Sequence, residues 1–417
     1  MEHSQQSCSR RAAEMPPFLV MEVLERAAQL QREGRSIIHL EVGEPDFDTP
    51  PAAVAAGIAA LRAGRTHYTH SLGHPELRAA IVAWHERHYG VATSPERVVV
   101  TVGTSGAMLL VFAALLDPGD EVLITDPGYA CYPNFIATFG GVPVRVPVCE
   151  ADGFQFEPRA VAAALTPRTR ALVINSPANP TGTLTTPERM RELAALCGMA
   201  AGEASAGSGS SGVRGITEQG QLPGKQPCHP VIISDEIYHG LVYRGRAHTI
   251  REFAPEAVVV SGFSKLHAMT GWRLGYAILP EWLVRPVQKL QQNLFISAPD
   301  FPQFAAVAAL EQADADIEQM RRCYDERRQL VLARLQEMGL TILTEPVGAF
   351  YVFVNVRQHT DDVYKFAFRV LEEAGVAITP GTDFGPGGAG YIRISYANSL
   401  ANIEEGMRRL RAFLQHS

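Results

Sequence analysis

The chain has 417 residues, more than one compact core accommodates, so two domains are expected. Apolar residues make up 46% and charged residues 19%, as in an ordinary globular protein, and the net charge of -7 argues against nucleic acid or anionic membrane as partners. Six scattered cysteines without a Cys-x-x-Cys pair argue against a zinc site or a disulfide framework and favour a reducing compartment. Because the N-terminus is polar and no apolar run is long enough to span a bilayer, we expect a cytoplasmic protein.

Near the N-terminus, apolar residues at helical spacing predict a helix within residues 15–34. A short strand is predicted at 37–42, followed by the sequence Gly-Glu-Pro-Asp-Phe at 43–47. Glycine and proline allow a close backbone approach and a fixed turn. Taken alone, this segment indicates only a turn.

Five apolar runs alternate with helical stretches through the middle of the chain, as expected for parallel strands that are covered on both faces. They lie at residues 98–102, 121–125, 171–174, 231–234 and 258–260. In such α/β sheets, ligands bind beyond the carboxyl ends of the strands. Polar residues follow all five runs, so one shared site is predicted at that edge.

The last of these runs leads into a loop that contains Ser264, Lys265 and Arg273. A lysine just past a buried strand is partly desolvated, which lowers its pKa and makes its amine a nucleophile toward carbonyl groups. The neighbouring hydroxyl and guanidinium suit a phosphate dianion held beside that amine. A Schiff-base lysine with a phosphate cup is what pyridoxal phosphate (PLP) requires.

Other strand ends supply groups that suit the same cofactor. The sequence Gly103-Thr104-Ser105 opens a helix whose N–H groups and hydroxyls can hold phosphate, although it also fits an ordinary helix start. Asp235 can keep a pyridine nitrogen protonated, or else be a structural, ion-paired aspartate. Tyr129 offers an aromatic face on which the cofactor ring can stack.

Three further residues complete the predicted site. Tyr238 and Asn179 can each donate a hydrogen bond to the phenolate oxygen of the cofactor ring. Arg393 lies at the centre of the apolar strand 391–396, where an unpaired charge is costly to bury. A substrate carboxylate would satisfy this guanidinium, and a structural ion pair is the alternative.

These sequences resemble the class I/II aminotransferases, which are fold-type I PLP enzymes of the aspartate aminotransferase superfamily. The strongest match is Ser-Lys followed by Met-Thr-Gly-Trp-Arg-Leu-Gly-Tyr within 264–276, the lysine signature of the family. Asn-Pro-Thr-Gly at 179–182 and Asp-Glu-Ile-Tyr at 235–238 match as well. The resemblance runs from about Phe18 to the end and implies a large doubly wound α/β domain with a mainly parallel sheet, plus a smaller α+β domain.

The resemblance also implies roles for residues of the site. Lys265 would form the Schiff base, with Asp235 and Tyr238 completing the catalytic set. Gly43, together with Asn179 and Arg393, would bind the substrate.

One implied role concerns a second subunit. Tyr68 falls in the Tyr-x-x-x-x-Gly segment of the family, and in relatives this tyrosine reaches the phosphate of the neighbouring subunit's cofactor. The resemblance therefore implies a homodimer with shared active sites. Read without the resemblance, Tyr68 is an ordinary loop tyrosine.

The expected domain division assigns residues 48–290 to the large, PLP-binding domain. Residues 1–47 and 291–417 are expected to form the small domain, which includes an N-terminal arm. Residues 202–230 interrupt the pattern with a Gly-, Ser- and Gln-rich insert that relatives usually lack. Such a composition predicts a flexible surface excursion, with a lid or partner loop as the alternative. Deleting it is expected to leave the fold and the activity intact, and loss of cofactor binding would contradict this.

The predicted reaction is transamination between an L-amino acid and a 2-oxo acid, with 2-oxoglutarate as the favoured acceptor and no metal site. The segment 103–107 lacks the lysine by which some aspartate-specific relatives bind a distal carboxylate, which weakens aspartate as the donor without excluding it, since an arginine of the partner subunit could serve. Aromatic and neutral donors remain open. A C–S lyase or another elimination enzyme on the same scaffold is the alternative, because PLP chemistry is directed by the pocket.

Overall fold

The computed structural model describes residues 8–200, 229–340 and 342–416. The predicted insert at 202–230 lies outside the described residues, apart from its last two positions.

The strands are β1 (Ile38–His39), β2 (Val98–Thr101), β3 (Glu121–Asp126), β4 (Val142–Pro147), β5 (Thr169–Asn175), β6 (Val231–Asp235), β7 (Val258–Gly262), β8 (Gly275–Ile278), β9 (Tyr351–Asn355), β10 (Val376–Ala377), β11 (Thr379–Pro380) and β12 (Tyr391–Ser395). The α-helices are α1 (Arg10–Glu14), α2 (Leu19–Arg32), α3 (Pro51–Arg62), α4 (Pro75–Tyr89), α5 (Gly103–Leu115), α6 (Tyr132–Thr138), α7 (Pro158–Ala164), α8 (Pro187–Leu196), α9 (Glu281–Leu294), α10 (Asp300–Gln312), α11 (Asp314–Glu337), α12 (Val363–Arg369) and α13 (Leu400–Gln415). Single 3-10 turns span Pro95–Arg97, Glu150–Asp152, Ile250–Glu252, Thr270–Trp272, Gly381–Phe384 and Pro386–Gly388, and a π turn, Val370–Ala374, continues α12.

The central sheet of the described ranges has seven strands in the order β2-β8-β7-β6-β5-β3-β4. Strand β8 runs antiparallel to both of its neighbours, and the other pairings are parallel. The five predicted runs are β2, β3, β5, β6 and β7. Alternate residues of β2 pack into opposite cores, Val98 and Val100 on one face and Val99 on the other. Both faces of the sheet are therefore covered, which confirms the doubly wound α/β prediction.

Segments from the two ends of the chain pack together beside this sheet. Strand β1 pairs in parallel with β10, and β11, β12 and β9 form an antiparallel three-stranded sheet. Helix α2 packs against β10 and β11. Helix α10 instead packs on α3 and α4. The division at residues 48 and 291 stays a prediction.

Helix α2 is shorter than the predicted span of 15–34, because Met15 and Pro16 each precede a proline, which disfavours the α-helical conformation at both positions. Its first amide, that of Leu19, donates to the Asp383 carboxylate at 2.8 Å. A carboxylate at a helix N-terminus also interacts favourably with the helix dipole. This contact fastens α2 to the C-terminal part of the chain. No helix within the described ranges combines the length and apolar character needed to cross a membrane.

Candidate active site

Residues from the strand ends and from three distant segments line one cavity of about 260 Å³. The lining residues are Phe18, Val20, Met21, Leu24, Val42, Gly43, Thr104, Tyr129, Asn175, Asn179, Asp235, Ile237, Tyr238, Lys265, Tyr351 and Arg393. Eight residues predicted from the sequence are among them, namely Gly43, Thr104, Tyr129, Asn179, Asp235, Tyr238, Lys265 and Arg393. The carboxyl ends of β5 and β6 and the loop after β7 thus meet at a common site, as the parallel sheet requires.

Lys265 extends from the loop after β7, and its Nζ donates to the carbonyl oxygen of Gly43 at 2.6 Å. Burial lowers the pKa of Lys265 from its usual 10.5 to about 8. A substantial fraction of the amine is therefore neutral and nucleophilic near physiological pH. The contact also ties the lysine loop to the turn at 43–47, which the sequence alone left as an isolated turn.

Asp235 ends β6 and lies buried beneath the same cavity. Tyr132 Oη donates to its Oδ2 at 2.6 Å, and the amide of Ile237 donates to its Oδ1 at 3.2 Å. Burial raises the pKa of Asp235 to about 6, while the hydrogen bonds from Tyr132 and Ile237 oppose that rise. The carboxylate is consequently ionised at neutral pH and can pair with a cation in the cavity. Sequence reasoning missed Tyr132, which follows Tyr129 by one turn and carries no motif of its own.

Arg393 on β12 is 2% exposed. Its Nη1 donates to Asn179 Oδ1 at 3.0 Å, and its Nη2 donates to Thr379 Oγ1 at 3.2 Å and to the carbonyl of Glu41. These hydrogen-bond partners are all uncharged, and Nε has none among the described residues. A buried guanidinium held in this way keeps its full charge for an anion that enters the cavity.

The turn after β5 is built by two asparagines. Asn175 donates from Nδ2 to the carbonyl of Asp235 at 3.1 Å, and its Oδ1 accepts from the amide of Asn179 at 2.8 Å. Because Asn179 Oδ1 accepts from Arg393, its Nδ2 is left to donate into the cavity. Asn175 was missed, although its place at the end of a predicted strand was a usable signal.

A second group of predicted residues surrounds the start of α5. Gly103 has φ +68°, and a Cβ there would approach Arg273 Nη2 to 2.9 Å. A Cβ on Gly275 would lie 2.8 Å from the amide nitrogen of Thr104. Two glycines therefore let a guanidinium and a helix N-terminus come together, an arrangement that suits a phosphate.

Four predicted residues do not line the cavity. Ser105 is in the first turn of α5, Ser264 precedes Lys265, and Arg273 donates from Nη1 to the Thr270 carbonyl at 2.9 Å. Tyr68 is 81% exposed. The backbone N–H of the next residue, Thr69, donates to Ser297 Oγ at 3.3 Å. Their predicted roles stay predictions.

One part of the cavity lining is apolar. It is formed by Phe18 and by Val20, Met21 and Leu24 of α2, and we call these four residues the apolar wall. Sequence analysis predicted a helix here but gave it no place in the site.

The sequence profile of the family "Aminotransferase class I and II" matches residues 35–199 and 226–410. The chain belongs to this family. Because of this membership, the chain is an aminotransferase. Members of the family use PLP.

Several relatives of this aminotransferase match over nearly their whole length. The chain is 40% identical to the (5-formylfuran-3-yl)methyl phosphate transaminase of Methanocaldococcus jannaschii, over 97% of this chain and 99% of that protein. It is 38% identical to the valine–pyruvate aminotransferase of Mycobacterium tuberculosis, over 96% and 97%. The aspartate aminotransferase of Thermus thermophilus with maleate superposes with a TM-score of 0.86 at 36% identity, over 98% and 100%. The fold is therefore that of aspartate aminotransferase.

Proposed function

We propose that this aminotransferase transfers the amino group of a neutral L-amino acid to a 2-oxo acid, with PLP held at Lys265. The observation that carries the proposal is the sharing of one cavity by Lys265, Asp235 and Arg393. The cavity thus offers an amine with a lowered pKa, a buried carboxylate and a buried guanidinium with uncharged partners.

The side chains present fit PLP. Proposed contacts are with the phosphate for Thr104, Ser105, Ser264 and Arg273, with the ring nitrogen for Asp235, with the ring oxygen for Asn179 and Tyr238, and with the ring face for Tyr129. The cradle of Gly103 and Gly275 beside Arg273 supports the phosphate site, and the hydrogen-bonded carboxylate of Asp235 supports the nitrogen site. When bound, PLP supplies an electron sink that stabilises negative charge at the substrate Cα.

The protein's own groups would then hold the substrate and move its proton. Arg393 and the Gly43 turn would bind the substrate α-carboxylate, and the amine of Lys265 would act first as base and then as acid for the 1,3-proton shift between the substrate Cα and the cofactor carbon. A pKa of about 8 suits this task, since general bases work best with a pKa near the working pH. The buried setting limits competition from water.

The apolar wall supports the choice of donor. Lys265 and Arg393 are the two cationic residues among the described lining residues, and both already have proposed roles. A side chain that carries a second carboxylate would face Met21 and Leu24 instead of a cation. We therefore propose donors with apolar or aromatic side chains, whose burial against the wall contributes about 25 cal/mol per Å².

We propose 2-oxoglutarate as the acceptor, on the basis of the resemblance. One relative is named for pyruvate, so the test is to measure transamination rates with 2-oxoglutarate and with pyruvate as acceptors, and 2-oxoglutarate is expected to give the higher kcat/KM.

We also propose a homodimer in which Tyr68 reaches the partner subunit's phosphate site. Its 81% exposure and the exposed apolar side chains of Leu294 and Ile296 support an interface near this loop. Sedimentation of the purified protein should give the mass of two chains. A monomer that is fully active would contradict the shared site.

The reaction is tested by visible absorption of the PLP-loaded protein during addition of a panel of L-amino acids. Conversion of the yellow band by an apolar or aromatic donor, with formation of one equivalent of its 2-oxo acid, is the expected result. Release of ammonia with a persistent yellow band would indicate elimination instead. Absence of a yellow band after supply of PLP would contradict the assignment of Lys265.

A further inference from the structure

Tyr351 connects two parts of the site that the proposed function treats separately. It begins β9, is 1% exposed and lines the cavity. Its hydroxyl lies 2.8 Å from the hydroxyl of Tyr238, and its ring lies 4.4 Å from the Arg393 guanidinium carbon. One side chain therefore contacts both the group proposed for the cofactor's ring oxygen and the group proposed for the substrate carboxylate.

Resting on the proposed function, we propose that Tyr351 is a positioning residue. Its hydroxyl donates to Tyr238 Oη, which leaves the Tyr238 proton free to donate to the cofactor. Its ring supports the Arg393 guanidinium through a cation–π contact. The hydrogen bond to the cofactor ring oxygen and the binding of the substrate carboxylate thus both depend on Tyr351.

The direction of the tyrosine–tyrosine hydrogen bond follows from the surroundings. Burial raises the pKa of both Tyr351 and Tyr238, so both hydroxyls keep their protons. The charge of Arg393 opposes that rise at both hydroxyls, but the pKa of Tyr238 is raised well above its usual value and that of Tyr351 less so, which makes Tyr351 the better donor. If Tyr238 donated instead, its single proton would not be available to the cofactor.

The rest of the surroundings restrict how Tyr351 can move. A Cβ at Gly43 would overlap the Tyr351 hydroxyl, so this glycine gives the hydroxyl its room. The rings of Tyr238 and Tyr351 meet edge to face, with centroids 5.7 Å apart at 81°. Phe384 lies 5.0 Å from the Arg393 guanidinium carbon and confines it further. The guanidinium is thereby held by two aromatic rings.

The test compares Tyr351→Phe, which keeps the ring, with Tyr351→Leu, which removes both contacts. Tyr396→Phe is the matched control, because Tyr396 is equally buried and lies outside the cavity, and its hydroxyl donates to the Ala349 carbonyl at 3.4 Å instead of to a group that lines the cavity. Two quantities are measured on full-length, PLP-loaded protein: the pH midpoint of the visible band, and the dissociation constant of 3-phenylpropionate, a carboxylate that cannot react.

In Tyr351→Phe, we expect the proton affinity of the bound cofactor to rise about fivefold, since a weaker hydrogen bond to its ring oxygen leaves it more negative. The pH midpoint therefore moves upward, and 3-phenylpropionate binds as in the wild type. In Tyr351→Leu, the midpoint moves likewise and 3-phenylpropionate binds about fivefold more weakly, because the cation–π contact is lost. Tyr396→Phe should match the wild type in both measurements.

A wild-type midpoint in Tyr351→Phe would overturn the inference, and this variant decides the matter even where Tyr351→Leu fails to fold. Unchanged 3-phenylpropionate binding in a folded Tyr351→Leu would overturn the support of Arg393. A wild-type protein that forms no yellow band contradicts the proposed function itself, which separates that failure from failure of this inference.

Discussion

The two sides of the active-site cavity are built from different parts of the chain. The polar side includes Asn175 and Asp235, which are the last residues of β5 and β6, and Lys265, which lies in the loop after β7. The apolar wall stands on α2, whose first amide is held by Asp383, 364 residues away in sequence. The polar side is fixed by a sheet that is buried on both faces. The apolar wall depends instead on a helix that packs against β10 and β11, outside that sheet.

This difference assigns separate tasks to the two sides. Hydrogen-bonded groups on a rigid sheet can hold a cofactor and a proton-transferring amine in a constant geometry. An apolar helix face can change its side chains without disturbing that geometry. We therefore expect substitutions on the polar side to reduce catalysis with every donor, and substitutions on the apolar wall to change which donor is preferred.

The largest expected effect is that of Lys265→Ala on the polar side. Loss of the proton-transferring amine should reduce turnover with all donors by at least about a thousandfold. Lys289→Ala on α9 is the control, because it removes a lysine that does not line the cavity. Steady-state turnover with several donors measures the effect, and normal activity of Lys265→Ala would refute the proposed mechanism.

Asp235→Asn should have the next largest effect, since it removes a buried charge while preserving shape. Losing one partner of a buried pair costs about 3 kcal/mol, or roughly a hundredfold in turnover. Asp235→Asn should also weaken PLP binding, because it removes the charge proposed to pair with the ring nitrogen. Tyr132→Phe removes the 2.6 Å hydrogen bond that lowers the pKa of Asp235, so it should weaken PLP binding too, but less than Asp235→Asn does. Equal PLP affinities in Tyr132→Phe and the wild type would show that Tyr132 does not act through Asp235.

On the apolar wall, Leu24→Arg should shift the donor preference toward aspartate and glutamate by about tenfold, or ~1.4 kcal/mol. The new guanidinium would face the cavity and pair with a distal carboxylate. Glu25→Arg is the control, because it changes charge on the same helix at an exposed position outside the cavity. The kcat/KM ratio of aspartate to phenylalanine measures the shift, and an equal shift in both variants would indicate a general charge effect.

The same contrast explains what the sequence could predict. Strand ends, the lysine loop and the arginine in a strand follow from local patterns, because a parallel sheet brings its carboxyl ends together. The place of the α2 residues in the cavity lining does not follow from a local pattern, since the apolar spacing of this helix is the same as that of any helix that packs against a core. Tyr132 and Tyr351 escaped for another reason: the direction of a hydroxyl is set by tertiary contacts and has no local signature.

The smallest effect concerns His39 and Glu41, beside the contact between Arg393 and the Glu41 carbonyl. His39 Nδ1 lies 2.7 Å from Glu41 Oε1, a hydrogen bond that raises the pKa of His39 above 6.5. A base whose pKa is raised by folding stabilises the protein fully below its unfolded pKa, and this stabilisation is lost as the pH rises through the folded value.

His39→Gln should therefore destabilise the protein by about 1 kcal/mol at pH 6 and by much less at pH 9. Thermal unfolding at both pH values measures the difference, with the exposed His416→Gln as the control. Because Glu41 holds Arg393 through its backbone, the same variant should weaken 3-phenylpropionate binding at pH 6 but leave the donor preference unchanged. A changed preference would mean that Arg393, which binds the carboxylate, and the apolar wall do not act separately.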